Sequence, residues 1–369
     1  MQLSDRDYKV KKFKVIPPSP KKLTHGIIVR VPNWLGDAIM TLPALTQLKK
    51  ILPPQAVLAV ICAPQVVELF KALPIVNKII PIAAPHKFWS DAERGNIRAT
   101  GIKTGLILTN SLRDTIAMRF CGINEIYGAK ARFRSLLLKR SFAFPKRHNR
   151  VLNMLHHADK YLSMVYALGA PEWNGALDIK IPLHMCQLNR EIIDLCNHPK
   201  LMVLAAGAAY GAAKRWSSDN YHKVAKWWLK NDGIVVIVGS KSEAVIGNEI
   251  KCGLPENKVF NLAGSTDMCE LMNLLQHAKI CIANDSGVMH LAAILGTSGV
   301  AVFGPTDYSA TGPISVNRRW KILYEKQCCS PCFSRVCPSG SNACMRAIHP
   351  SSVIKAAKSL LKSNKNTKN

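Results

Sequence analysis

Short apolar runs alternate with helical patterns along most of the chain. Gly26-Ile27-Ile28-Val29-Arg30-Val31 reads as a short buried strand. After the loop Pro32–Asp37, the apolar residues Ile39, Leu42, Leu45 and Leu48 recur at three-residue steps, which predicts a helix. Further strands are predicted at Val57–Ile61, Lys78–Ile82, Gly105–Thr109 and Glu125–Gly128. A second series opens at Leu201–Ala205 and continues at Ile234–Val238, Lys279–Ala283 and Gly299–Phe303. Helices are expected near 218–230, 241–251, 267–277 and 287–295. This alternation predicts an α/β chain with parallel sheets covered by helices. Two tandem units of similar size imply a cleft, a preferred place for a ligand. The expected divisions are a mobile basic arm at 1–24, a first domain at 25–180 and a linker at 181–200. A second domain at 201–350 and a C-terminal helix with a polar tail at 351–369 follow.

Composition narrows the partners without choosing among them. With 50 basic and 23 acidic residues the formal charge is +27, which favours polyanions: nucleic acid, an anionic membrane or phosphorylated substrates. Zinc-finger spacing, RNP-type aromatic motifs and basic-region heptads are absent, so no nucleic-acid partner is expected. Much of the charge lies in the arm and in Lys130–Arg150, which holds Arg132, Arg134, Lys139, Arg140, Lys146 and Arg147. That stretch is either a solvated face or a surface for a phosphorylated, membrane-held partner. No secretory signal or membrane-spanning run is evident, so a cytoplasmic location is expected. Seven of the 12 cysteines are scattered through apolar segments, Cys62, Cys121 and Cys281 among them, and read as reduced core residues. Cys328, Cys329, Cys332, Cys337 and Cys344 form a late cluster that can be read as zinc ligands or as packed thiols. Its spacing is not that of paired knuckles, and no metal site is assigned.

Polar clusters at strand ends supply the candidate chemistry. Asn284-Asp285-Ser286-Gly287, with His290 one turn on, opens a helix directly after a strand. Free amides there can face an anion, and Asp285 can accept hydrogen bonds from sugar hydroxyls. The small-residue loop 206–213 ends in Lys214 and Arg215, where Gly207 allows close approach and the cations suit a diphosphate; a flexible connection explains it equally. Gly239 and Ser240, with Glu243 beyond, can abut a ribose or phosphate, or simply turn the chain. Asp37 can be a general base at the mouth of a sheet or the N-cap of the next helix. His156 and His157 sit on a helical pattern with Leu152 and Leu155, where a packed or surface role is the ordinary one.

These blocks together resemble the bacterial ADP-heptose:lipopolysaccharide heptosyltransferases, glycosyltransferase family 9, and most of all those members that add the second inner-core heptose. The resemblance rests on Arg30–Ala38, Leu42–Leu45, His156-His157 with Tyr161, and Tyr210-Gly211 with Ala213–Trp216. Asn284–Gly287 with His290–Ala293, Phe303–Thr306, Thr311–Pro313 and Cys329–Cys332 with Cys344-Met345 complete it. It implies a GT-B fold: two Rossmann-like domains facing across a cleft, with the C-terminal helix often returning to the first domain. It also implies inverting, metal-independent heptose transfer from ADP-heptose, without a cofactor, to a phosphorylated lipid A–Kdo–heptose acceptor. Peripheral contact with the inner membrane follows from such an acceptor. On the matching positions Asp37 becomes the catalytic base and Lys214 the group that neutralises the leaving ADP. Gly207, Arg215, Gly239, Ser240, Asn284, Asp285, Ser286, Gly287 and His290 become the donor-binding set. The alternatives are another sugar or acceptor, or a nucleic-acid-binding protein on an inactive glycosyltransferase fold.

Overall fold

The computed structural model describes residues 10–131, 133–145, 155–177, 179, 188–314 and 319–363. They belong to two units, one within Tyr8–Arg147 and Leu155–Lys180, the other within Ile181–Asn369.

In the N-terminal unit the apolar runs pair in parallel as β1 (Gly26–Arg30), β2 (Val57–Cys62), β3 (Lys78–Pro81), β4 (Thr104–Ile107), β5 (Glu125–Ala129) and β6 (Arg140–Phe142). Their order is β3-β2-β1-β4-β5-β6. Every residue of β1 and β4 is buried, as helices covering both faces require. The C-terminal unit repeats the plan with β7 (Leu201–Ala205), β8 (Ile234–Ile237), β9 (Val259–Asn261), β10 (Ile280–Asn284), β11 (Gly299–Phe303) and β12 (Trp320–Tyr324). Its order, β12-β11-β10-β7-β8-β9, is the same topology read from the other edge. Each sheet therefore reverses its winding at one point, between β1 and β4 and between β7 and β10. Ligands of such sheets bind beyond the strand carboxyl ends at that reversal.

The predicted strands form within a residue or two, while β6, β9 and β12 lie where no strand was expected. These three strands are short or only partly apolar, and they are fixed by pairing with their neighbours. The single helix expected after Asp37 is two, Leu35–Ile39 and Leu42–Lys49, with Pro43 in the first turn of the second.

Several expectations are corrected. Residues 10–24 of the expected mobile arm are mostly exposed but tethered at several points: Lys11 N donates to Ser163 Oγ at 2.8 Å and Ile16 N to Ala167 O at 2.9 Å. Phe13 meets Phe142 and Phe144 edge-on, and Leu23 is buried, so apolar contacts anchor the segment at these two positions. Residues 1–9 lie outside the described set, as do 181–187 of the proposed linker and 364–369 of the tail. The rest of the linker contains a helix, Arg190–Asn197, capped by Asn189 and burying Ile192, Leu195 and Cys196. The C-terminal helix Pro350–Ser363 shares a core with its own unit's sheet, placing Val353, Ala357 and Leu360 beside Val300 and Val302. Cys62, Cys121 and Cys281 are free and buried as expected, whereas Cys269 is disulfide-bonded. No helix among the described residues is long and apolar enough to cross a membrane.

Candidate active site

In the C-terminal unit, the ends of β7 and β10 bring the Lys214 loop and the Asp285 turn together. Lys214 Nζ lies 2.5 Å from Asp285 Oδ2, with both side chains nearly buried. Thr306 Oγ1, following β11, donates to the same oxygen at 2.6 Å. Oδ1 has no hydrogen bond among the described residues. The ammonium also stands 4.8 Å from the centre of the Tyr210 ring, which Arg335 flanks at 5.3 Å. A cation held this way, between Asp285 and the Tyr210 ring, is positioned in advance. That suits a site for an anion that arrives and leaves.

Asn284 is the residue that keeps this arrangement in register. Its Oδ1 accepts from Trp216 N at 3.2 Å and Tyr221 Oη at 3.0 Å. Its Nδ2 donates to Ala206 O at 2.7 Å and Gly207 O at 3.3 Å. The expectation that Asn284 binds a ligand is therefore corrected: its fully buried amide fastens the Lys214 loop to β10. His290, also assigned to the donor, is only 2% exposed, because the helix Gly287–Ile294 turns that face into the core. That helix starts without a side-chain cap, in contrast with the helices begun by Ser90, Ser111, Asn189, Ser217 and Asp267. Its first amides keep their donor capacity. Ser286 Oγ at its start and Arg215 Nε are buried without a hydrogen-bond partner among the described residues. Orphaned donors around an uncapped helix start fit an anionic ligand.

Gly207 and Gly239 face a protein group. A Cβ on Gly207 would lie 2.1 Å from Glu243 Cδ, and one on Gly239 would lie 2.9 Å from Glu243 Oε2. Ser240 commits both its amide and its hydroxyl to that carboxylate, at 2.8 and 2.9 Å. Gly207, Gly239 and Ser240 are thus gathered around one nearly buried acid, Glu243, held at the ends of β7 and β8. The signal for it, serine followed three residues later by glutamate, was present in the sequence as a capping box.

In the N-terminal unit, Asp37 lies inside the helix Leu35–Ile39, whose N-cap is Trp34, so the capping alternative is gone. His157 Nδ1 lies 3.5 Å from Asp37 Oδ1, and both side chains are about one-third exposed. Burial, with the Asp37 charge as the second cause, pushes the Tyr161 phenol above its usual range. His156 is the packed member of the pair, and its Nδ1 accepts from Ala158 N at 3.1 Å. The loop before Asp37 is fixed by Arg30, fully buried at the end of β1. It donates to Asp114 Oδ2 at 3.0 Å, to Asn33 Oδ1 at 2.6 Å and to Val31 O. Burial lowers the Arg30 pKa, and Asp114 works against that shift.

The segment between the late cysteines Cys332 and Cys337 meets the Lys214 loop. Phe333 O accepts from Tyr210 Oη at 2.8 Å and Arg335 O from Ala213 N at 3.0 Å. Among the described residues, no group of three or more His, Cys, Asp or Glu is arranged to hold a metal.

Two Rossmann-like sheets, each with polar groups at its reversal point, define the architecture of a GT-B glycosyltransferase. A family model described as glycosyltransferase family 9 (heptosyltransferase) matches residues 94–342, and the chain belongs to that family. It is 29% identical to lipooligosaccharide heptosyltransferase 2 of Campylobacter jejuni, covering 92% of this chain and 99% of that protein. Lipopolysaccharide heptosyltransferase 2 of Escherichia coli is likewise 29% identical, over 79% of this chain and 86% of that one. The solved E. coli ADP-heptose heptosyltransferase II superposes with a TM-score of 0.74 at 24% identity, covering 92% of this chain and 99% of that chain. An E. coli heptosyltransferase solved with ADP gives 0.69 at 16% identity, over 90% of this chain and 99% of that one.

Proposed function

We propose that this glycosyltransferase moves L-glycero-D-manno-heptose from ADP-heptose to the first heptose of the lipopolysaccharide inner core, with inversion and without a metal. The observation that carries the reading is the Lys214–Asp285–Thr306 group beside an uncapped helix start. The donor diphosphate lies against the amides of Ser286 and Gly287 and against Lys214 and Arg215. Asp285 Oδ1 accepts from a hydroxyl of the donor sugar, and Glu243 accepts from the ribose.

In the transfer step, Asp37 takes the proton of the attacking acceptor hydroxyl. The acceptor oxygen bonds to the anomeric carbon as the bond from that carbon to the phosphate oxygen breaks. The electron pair leaves with ADP. Lys214 meets the charge that grows on the departing phosphate, which is where a fixed cation lowers the barrier most. His157 orients the Asp37 carboxylate. One displacement inverts the anomeric carbon and needs no covalent enzyme intermediate. The acceptor is a phosphorylated lipid A–Kdo–heptose at the cytoplasmic face of the inner membrane.

The test is ADP release from ADP-heptose, with and without a one-heptose acceptor, together with the product mass. Acceptor-dependent release with a gain of one heptose supports the reading. Release or transfer with a different sugar nucleotide or acceptor, and none with these, refutes it.

A further inference from the structure

Between β5 and β6, the 3-10 turn Arg134–Leu137 and the residue before it present two large apolar side chains to water. Phe133 and Leu136 are each 92% exposed. Between them Arg134 is fully buried, and burial lowers its pKa to about 10. Its guanidinium donates to Ala129 O at 3.0 and 2.6 Å and to Thr109 O at 2.5 Å. The Arg134 contribution expected for a cationic face is thereby corrected, because its charge is spent on holding the turn to the carboxyl ends of β4 and β5. Arg140 is likewise engaged, with Ala167 O at 3.0 Å and Lys14 O, while Arg132, Lys146 and Arg147 lie outside the described residues. Arg119 fastens the turn from the other side, donating to Leu137 O at 3.1 and 2.7 Å. The next residue, Phe120, is itself 68% exposed.

Phe133 adopts a left-handed backbone conformation, with φ of 51°. A bulky residue held there costs energy, yet at 92% exposure Phe133 gains little packing among the described residues to offset the cost. Two exposed cations, Lys130 and Lys139, bracket the turn, and no acidic residue occurs between Glu125 and Asp159. Apolar tips on a fixed loop with cations behind them match a bilayer interface, where rings and branched chains leave water and ammonium groups meet anionic headgroups. The turn also stands at the carboxyl edge of the sheet that carries Asp37 at the end of β1.

We infer that Phe133 and Leu136 dock the N-terminal unit on an anionic phospholipid bilayer. The inference rests on the membrane-held acceptor of the transfer reading. Flotation reads it without donor or turnover, so either can fail alone. The full chain is floated with phosphatidylethanolamine vesicles that contain phosphatidylglycerol, and with phosphatidylcholine vesicles.

The chain should float with the first and largely remain behind with the second. A Phe133→Ser/Leu136→Ser double variant should bind on the order of a hundredfold more weakly, with an unchanged melting temperature. Phe133→Trp should retain binding, and Lys130→Ala or Lys139→Ala should each weaken it about fivefold. ADP release with a water-soluble acceptor fragment should be unaffected in the double variant. The inference is overturned if the wild-type chain does not float, or if the double variant floats equally well. It is also overturned if the double variant loses ADP release with the soluble fragment to the same degree, which would make the turn part of the acceptor site.

Discussion

The two units share a sheet topology and differ in how they treat charge at its reversal point. In the C-terminal unit, Lys214, Asp285 and Thr306 form a nearly buried group bonded through one carboxylate oxygen, and Asn284 ties the two loops beneath it. In the N-terminal unit, the Asp37 carboxylate is about one-third exposed, and His157 stands off at 3.5 Å. Burial suits a cation that must meet a diphosphate in a low-dielectric setting with little reorganisation. Exposure suits a base that must reach a substrate proton and later release it. One scaffold thus hosts a rigid anion site and an accessible carboxylate.

The largest effect that sharpens this contrast is expected for Asp37→Asn. Turnover should fall on the order of a thousandfold, while ADP-heptose binding by calorimetry remains near wild type. Near-normal turnover in the folded variant would remove the base assignment. Lys214→Ala should follow, with turnover lower by about a hundredfold and donor binding weakened as well. If donor affinity and rate both stayed the same, the leaving-group role would be wrong.

Asn284→Ala tests the scaffold beneath the cation. It strands several buried partners and should destabilise the C-terminal unit by about 2–4 kcal/mol, read as a lower denaturant midpoint. His157→Ala should cost turnover about tenfold, because its 3.5 Å contact with the Asp37 carboxylate is a loose, partly exposed one, with stability little changed. A loss as large as that of Asp37→Asn would make His157 a full partner in proton transfer.

The smallest test concerns thiols. Hydrogen bonds from Ser339 and from the Asn342 amide lower the partly exposed Cys337 to about 7, whereas burial raises Cys62 to about 12. Iodoacetamide should therefore label Cys337 well before Cys62 at pH 7.5, and the Cys337 rate should drop as pH falls through 7 and the thiolate is lost. Equal labelling would contradict the contrast between these surroundings.

Much of the fold was legible because buried parallel strands are continuous apolar runs, and because caps and turns carry their own residue types. Leu201–Ala205 and Gly299–Phe303 were readable to the residue for that reason. Edge strand β6 was not, since pairing with β5 decides it. The Asp37 and Lys214–Asp285 blocks were visible as polar clusters at strand ends. The roles of Asn284, Ser240 and His290 were not, because a polar residue in a motif looks the same whether it faces a ligand or its own backbone. Arg30 and Asp114, 84 positions apart, carry no local sign of their buried pair.

The sequence by itself determined the two α/β units, the family and the candidate site residues, all of which follow from local pattern and short motifs. Tertiary structure alone decided that Lys214 leans on Asp285 and Thr306, and that His157 rather than His156 approaches Asp37. It also decided that Phe133 and Leu136 stand in water while Arg134 between them is buried. Such pairings join residues distant in the chain, and burial is a property of the assembled neighbours, so no periodicity along the chain encodes them.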